Sequence, residues 1–345
     1  MTAPCCHPQS QSKWYLNKTF LLIFILALVV FLSYISPFLI PLRQALFMYF
    51  KTIWWAVALG LTISGVMDYY VPRKLISHVL AKPKKRTILY AVGLGFFASV
   101  CSHGILAISI ELHKKGASTP AVIAFLLASP WANLPLTLIL IGFFGIAKSF
   151  YIIFSAIVVA IITGLIYQIL ETKGWIEKNT NSSVLEAGYS AWDDVRERFR
   201  GYRFSVEQFK ADIKGIFTGI VGISDMVLWW ILIGVGLASL SAAYIPPHLF
   251  HDYMGPTFSG LLVTLLLATV LEVCSEGMSP LAFEIYKQTG ALGNSFVFLM
   301  AGVVTDYTEI GLLWQNVGRR AAIFMPIIAV PQVLILGMWA NVLFR

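Results

Sequence analysis

The chain has 345 residues, of which 58% are hydrophobic and 12% are charged, and its formal net charge is +8. Soluble domains carry about 25% charged residues, so the composition excludes an ordinary soluble domain and predicts an all-α polytopic membrane protein. The positive charge does not indicate nucleic-acid binding, because the basic residues lie in loops between apolar segments and form no stripe interleaved with aromatic side chains.

The apolar segments divide the chain into five predicted regions. We expect a cytoplasmic N-terminus over 1–19, a first transmembrane span over 20–46, a transmembrane repeat A over 47–170, a cytoplasmic linker over 171–225 and a transmembrane repeat B over 226–345. The N-terminus contains Cys5, Cys6 and His7, which could capture a soft metal, although a polar tail is the simpler interpretation.

Two related motifs suggest an internal repeat. Cys101-Ser102-His103-Gly104 is echoed 173 residues later by Cys274-Ser275-Glu276-Gly277, and each motif lies inside a long apolar segment. Asn133 falls opposite Asp306 at the same offset. A polar motif duplicated at a constant offset within membrane segments is typical of transporters whose two halves meet around one site.

Basic residues in the loops favour an inverted arrangement of the two repeats. The loop 72–87 is rich in lysine and arginine and should be cytoplasmic, as should the linker. Four full crossings in repeat A would put them on opposite sides of the membrane. The conflict disappears if each motif segment is a re-entrant hairpin, broken at Cys101–Gly104 and at Cys274–Gly277, so that each repeat makes three crossings. The alternative is nine full transmembrane helices with parallel repeats.

The motif residues are candidates for substrate binding. Gly104 and Gly277 permit a backbone break, and breaks within a membrane tend to line sites where protein or water satisfies the exposed amides. The alternative is that these glycines allow close helix packing. Proline residues around Asn133 predict a second helix break in repeat A. The predicted substrate-binding residues are Cys101, Ser102, His103, Gly104, Asn133, Cys274, Ser275 and Gly277.

Ionisable side chains inside apolar segments are candidates for proton coupling. Such groups are costly at membrane depth and usually face a cavity or one another. Repeat B carries most of them, and we select Glu276, Asp306 and Glu272 as coupling carboxylates. Glu111 and Glu284 lie nearer the segment ends, so we expect them to reach a membrane interface. The metal content is left open, since the cysteines form no CxxC or zinc-finger spacing.

At these residues the chain resembles the predicted-permease family that includes ArsP, the organoarsenical efflux permeases. The resemblance covers about residues 47–344 and rests on both Cys-Ser-x-Gly motifs, on Phe125–Pro130 with Asn133, and on Phe298–Gly302 with Asp306. The chain departs from the family at His103, where a second cysteine is common, and at Ala107, where proline is common. The resemblance implies multi-pass export through the inner (cytoplasmic) membrane, with organoarsenicals as the substrates of some members.

We therefore predict a permease of a small solute such as a trivalent organoarsenical, working by alternating access around the two motifs. No GxxxxGK[ST] motif is present, so efflux would need an ion gradient, with possible proton coupling, and we expect no cofactor. The expected partners are the lipid bilayer and a small-molecule or metalloid substrate, and the oligomeric state stays open. The alternatives are a membrane-embedded enzyme using a Cys/His or Glu/His pair, or a passive channel.

Overall fold

The computed structural model describes residues 18–70, 87–98, 102–114, 116–179, 206–271 and 275–344, and every regular element in those ranges is a helix. The first half contains α1 (Lys18–Leu32), a 3₁₀ turn (Pro37–Leu39), α2 (Ile40–Tyr70), α3 (Thr87–Ala98), α4 (Ser102–Lys114), α5 (Thr119–Ala132), α6 (Leu134–Phe144) and α7 (Ile146–Thr172). The second half contains α8 (Val206–Tyr244), α9 (Pro247–Met254), α10 (Phe258–Val270), α11 (Ser275–Thr289), α12 (Leu292–Val304), α13 (Tyr307–Asn316) and α14 (Arg319–Leu343).

The helices include enough long apolar segments for a multi-pass membrane protein. By length and composition, 5 segments of the described chain can cross a bilayer, and the number rises to 7 if each of two bent helix pairs counts as one span. The five are Pro37–Ile63, Ile146–Thr172, Val227–Tyr244, Leu292–Asn316 and Arg319–Leu343. The two bent pairs are α5 with α6, at 46°, and α9 with α10, at 109°.

The predicted region boundaries differ from the helix ends in two places. The first apolar helix ends at Leu32, and a 3₁₀ turn beginning at Pro37 separates it from α2. Proline at this point cannot continue the hydrogen-bond ladder of α1, so the apolar run 20–46 is divided between two helices. Helix α8 begins at Val206 and runs unbroken for 39 residues, which takes it into the segment predicted as linker.

Helices α5 and α12 form the centre of the bundle. Every residue from 119 to 131 in α5 is buried, and so is every residue of α12 except Gly302. A helix that is apolar on all sides requires this central position. Large apolar side chains are exposed on the outer helices instead, among them Phe31, Trp54, Phe150 and Trp339. The exposed apolar surface faces outward, as contact with lipid chains requires.

The motif glycines are not break points, and this corrects the sequence prediction. The described part of α4 begins at Ser102 and that of α11 at Ser275, and residues 99–101 and 272–274 before them lie outside the described residues. Gly104 and Gly277 therefore lie inside helices. A Cβ added to Gly234 of α8 would lie 1.8 Å from the carbonyl oxygen of Gly277, so the two backbones touch there. Close packing therefore explains why Gly234 is a glycine.

The segment after α7 connects the two halves at one end of the bundle. Glu177 accepts hydrogen bonds from the backbone N–H groups of Arg320 (3.0 Å) and Ala321 (3.1 Å) at the start of α14. Its backbone carbonyl accepts a bond from Thr119 Oγ1 at 3.1 Å, at the start of α5. Glu177 thus satisfies two of the N–H groups that a helix N-terminus leaves without partners, and it ties α14 to α5.

We expect Glu177→Gln to lower the free energy of unfolding by about 1 kcal/mol, because the charged cap of α14 is lost. Partial burial acts to raise the pKa of Glu177. The backbone N–H donors of Arg320 and Ala321 and the charge of Arg320 outweigh burial and hold the pKa below 4.5. A lowered pKa means that the stabilisation is complete above pH 4.5 and is lost as the pH falls further.

Thermal unfolding in detergent between pH 4 and pH 7 measures this difference. The matched control is Lys178→Gln, which changes the charge of the exposed neighbouring residue and should leave the unfolding temperature unchanged. Equal effects of the two substitutions at neutral pH would contradict the capping role of Glu177.

Candidate functional site

The candidate site is built around a break between α5 and α6. Pro130 lies in the last turns of α5, and Asn133 adopts an extended conformation (φ −78°, ψ 142°) between the two helices. Its side-chain oxygen accepts a hydrogen bond from Leu136 N at 2.7 Å and so caps α6. Pro135 follows at the start of α6, where a missing N–H costs nothing. The predicted second break is confirmed, with Asn133 at its centre.

Packing against α2 holds the break in place. A Cβ added to Gly60 of α2 would lie 2.6 Å from the Cα of Pro135, so no other residue fits at this contact without displacing the backbone. One turn into α6, Thr137 donates its hydroxyl hydrogen to the carbonyl of Asn133 at 2.9 Å. The side-chain oxygen and the backbone carbonyl of Asn133 are therefore both held by residues of the first turn of α6.

Asn133 contacts the second half of the chain through a single carboxylate. Asn133 Nδ2 donates to Glu276 Oε1 at 2.9 Å, and the two residues are 1% exposed. Glu276 lies in the first turn of α11, where its own neighbour Ser275 donates to Oε2 at 3.1 Å. The structure thus brings together three of the predicted site residues, one from the first half and two from the second.

No cation balances the Glu276 carboxylate among the side chains that the structure describes, since none of their nitrogens forms an ion pair with it within 4.0 Å. A carboxylate removed from water is costly in its charged form unless it is paired or fully hydrogen-bonded. Two residues before Asn133, the fully buried Trp131 also carries an Nε1–H that has no acceptor within the described ranges. Buried polar groups without partners are rare in native proteins, and a functional role is one of the explanations for them.

Asp306 occupies the corresponding position in the second half. It is the N-cap of α13, and its Oδ1 accepts from the backbone N–H groups of Thr308 (2.8 Å) and Glu309 (3.0 Å). Asn133 and Asp306, 173 residues apart, therefore both cap the second part of a broken helix. A capping carboxylate at a helix N-terminus is stabilised by the local dipole, which gives Asp306 a structural task.

The remaining predicted residues divide into two groups. Cys101, Glu272 and Cys274 lie outside the described residues, as do Cys5, Cys6 and His7. Ser102, His103 and Gly104 form the first turn of α4, where the structure describes the backbone alone. In the described part of the chain, no group of three His, Cys, Asp or Glu side chains could hold a metal ion.

Sequence reasoning placed Glu284 wrongly. We expected it to reach a membrane interface, but its side chain is fully buried between the two halves. It accepts hydrogen bonds from the hydroxyl of Tyr49 on α2 and from Gln288 Nε2 one turn further along α11. Glu284 follows Glu276 by eight residues, about two helical turns, so the two side chains lie near one face of the helix. This spacing is the feature of the sequence that could have indicated that Glu284 is buried like Glu276.

Comparisons with known proteins agree with a membrane permease. The family model ArsP_1, described as a predicted permease, matches residues 42–342. The UPF0718 protein YcgR of Bacillus subtilis is 22% identical over 288 residues, which cover 81% of this chain and 90% of that protein. A protein of Streptococcus mutans, described as a candidate subunit of a two-component membrane permease complex, is 22% identical over 259 residues, covering 74% of this chain and 80% of its own length. No solved structure gives a significant match. With the family model extending across nearly all the described helices, the chain belongs to the ArsP_1 family of predicted permeases.

Proposed function

We propose that this permease exports a small solute, with trivalent organoarsenicals as the substrate class to test first, and that a proton gradient drives export. The observation that carries the proposal is the buried hydrogen bond between Asn133 and Glu276. It joins a helix break in one half of the protein to the first turn of a helix in the other. In alternating access the two halves of a transporter move against each other around a site at their boundary. A hydrogen bond that joins the halves would be reorganised by that movement.

Glu276 is the proposed coupling group. It can bind a proton on either carboxylate oxygen, and protonation would change the contacts of its Oε1 with Asn133 and of its Oε2 with Ser275. We retain Asp306 and Glu272 as further coupling carboxylates, with Asp306 tied to the N-terminus of α13. We prefer Glu276 to Asp306 as the coupling group because Glu276 accepts a hydrogen bond from the other half of the chain. A relative movement of the two halves would change that hydrogen bond.

The substrate would bind beside the two motif helices. Thiolates are soft ligands that suit trivalent arsenic, so Cys101 and Cys274 are the proposed arsenic-binding groups. Ser102, His103 and Gly104 at the start of α4, and Ser275 and Gly277 at the start of α11, complete the proposed binding residues. The first N–H groups of each helix have no partner within their own helix, which favours an electron-rich ligand at these N-termini.

The motif segments are the proposed re-entrant hairpins of two inverted repeats. At about 1.5 Å per residue, α10, which has both ends described, is about 20 Å long and too short for a hydrocarbon core of about 30 Å. The order of helices also supports a repeat, since a pair of helices, a broken helix and a long final helix follow one another in each half.

Transport into inside-out membrane vesicles from a bacterial host tests the proposal. We expect a trivalent methyl- or phenylarsenical to accumulate when the vesicle interior is acidified, and the accumulation to collapse when a protonophore removes the gradient. Vesicles from cells without the protein are the control. Absence of transport with and without the gradient, across a panel of trivalent organoarsenicals, would overturn the arsenical substrate. Transport that ignores the gradient would overturn the coupling.

A further inference from the structure

Helix α11 carries a second buried carboxylate that the proposed transport cycle does not yet use. Glu284 lies eight residues after Glu276, which is about 12 Å along the helix axis, and its side chain is 0% exposed. Its Oε2 accepts from the hydroxyl of Tyr49 on α2, and its Oε1 accepts from Gln288 on α11. Like Glu276, Glu284 is therefore held by a residue of the first half of the chain.

The charges around Glu284 leave it with one partner that faces water. Lys287 Nζ lies 3.8 Å from Glu284 Oε2, and the lysine side chain is 43% exposed. The next basic residue, Lys148 of α7, is hydrogen-bonded to the hydroxyl of Tyr286. Solvent screens an exposed ammonium strongly, so Lys287 compensates only part of the charge of a buried carboxylate.

The other helices packed on α11 add no charge at Glu284. Helices α6 and α12 contain no ionisable side chain, and α8 between 227 and 244 contains only Tyr244. The ionisable residues of α9 are exposed, namely His248, His251, Asp252 and Tyr253. Within the described ranges, Tyr49 and Lys287 are consequently the ionisable groups in contact with Glu284.

Helix α11 contains a proline between its two carboxylates. Pro280 lies inside the helix, four residues after Glu276 and four before Glu284. Proline supplies no N–H to the carbonyl four residues earlier, and its ring crowds that carbonyl, so the helix is weakened there. Each side of this point is fastened to the first half by one carboxylate, through Asn133 on one side and Tyr49 on the other.

We propose that Glu284 is a second proton-binding site of the permease, located between Glu276 and the water beside Lys287. A proton from hydronium forms an O–H bond on Glu284 Oε2 and leaves water behind. The Tyr49 hydroxyl then turns from donor to acceptor, and the ion pair between Glu284 and Lys287 is lost. The task of this site in coupling rests on the proposed function, whereas the binding of the proton can be measured without any transported substrate.

Infrared difference spectroscopy between neutral and acidic pH, on the full chain in lipid vesicles, tests the site. Protonated carboxyl groups give a C=O stretching band that ionised ones lack. We expect Glu284→Gln to remove one component of this band. We expect Tyr49→Phe to shift that component to higher wavenumber, because the hydroxyl partner is lost. Phenylalanine keeps the edge-on ring contacts of Tyr49 with Phe143 and Phe283, so this variant should fold even if the glutamine variant does not.

The control is Glu111→Gln, which removes an exposed carboxylate on α4. We expect the spectrum of Glu111→Gln to retain the band component that Glu284→Gln removes. A spectrum of Glu284→Gln that superimposes on wild type, or a Tyr49→Phe band at the wild-type position, would overturn the second site. Failure of the proposed function would give a different result. In that case the infrared band of Glu284 would still be present, but Glu276→Gln would transport at the wild-type rate.

Discussion

Glu276→Gln is expected to reduce gradient-driven transport to the level of empty vesicles while leaving the protein folded. Glutamine has the shape of glutamate, and its oxygen can accept the hydrogen bond that Asn133 Nδ2 now donates at 2.9 Å. Exchanging one acceptor for another in a buried hydrogen bond changes stability by about 1 kcal/mol or less. Glutamine cannot bind and release a proton, so the coupling step is lost. Vesicle transport with an imposed pH gradient, together with thermal unfolding in detergent, measures both effects.

Asn133→Leu removes the other partner of the same hydrogen bond and, unlike Glu276→Gln, is expected to damage the structure as well. It removes the cap of α6, which costs about 1 kcal/mol, and leaves a buried oxygen of Glu276 without its donor, which costs about 1–3 kcal/mol. We therefore expect this variant to lose both stability and transport.

Glu111→Gln is the matched control for the carboxylate lost in Glu276→Gln and should behave as wild type. Gradient-dependent transport by Glu276→Gln at the wild-type rate would remove Glu276 from the coupling mechanism.

Gly234→Ala is expected to destabilise the fold by about 1–3 kcal/mol, the usual cost of overpacking a core. The added Cβ would lie 1.8 Å from the carbonyl oxygen of Gly277 and 2.8 Å from its Cα. Both atoms belong to the backbone of α11, so no side chain can turn aside to make room. Helix α8 must move away from the first turn of α11, which also carries Glu276. We expect a lower unfolding temperature together with reduced transport.

Gly236→Ala is the matched control on the same helix. A Cβ at Gly236 meets only Leu26 Cδ2 at 3.9 Å, an ordinary contact distance. Alanine has the higher helix propensity by about 1 kcal/mol, so this variant should be as stable as wild type or more stable. Similar losses of stability in the two variants would show that α8 and α11 do not touch at Gly234.

Local sequence patterns determined the class of protein and one of its helix breaks. Hydropathy and charge content are properties of consecutive residues, so the apolar composition alone predicted a multi-pass membrane protein. Pro130 and Pro135 act on their own helices, which is why the break at Asn133 could be predicted and is observed. The Cys-Ser-x-Gly motifs and their surroundings likewise led to the permease family that the family comparison shows.

Tertiary packing decided what the sequence left open at the candidate site. The hydrogen bond between Asn133 and Glu276 joins residues 143 positions apart, and no local pattern specifies which helices of a bundle come into contact. Gly277 was interpreted as a break because glycine is permissive, but it lies inside α11, and its backbone carbonyl packs against Gly234 of α8. Glu284 was placed at an interface by its position near a segment end. It is buried because α2 crosses α11 there and Tyr49 supplies the hydrogen bond that makes a buried carboxylate tolerable.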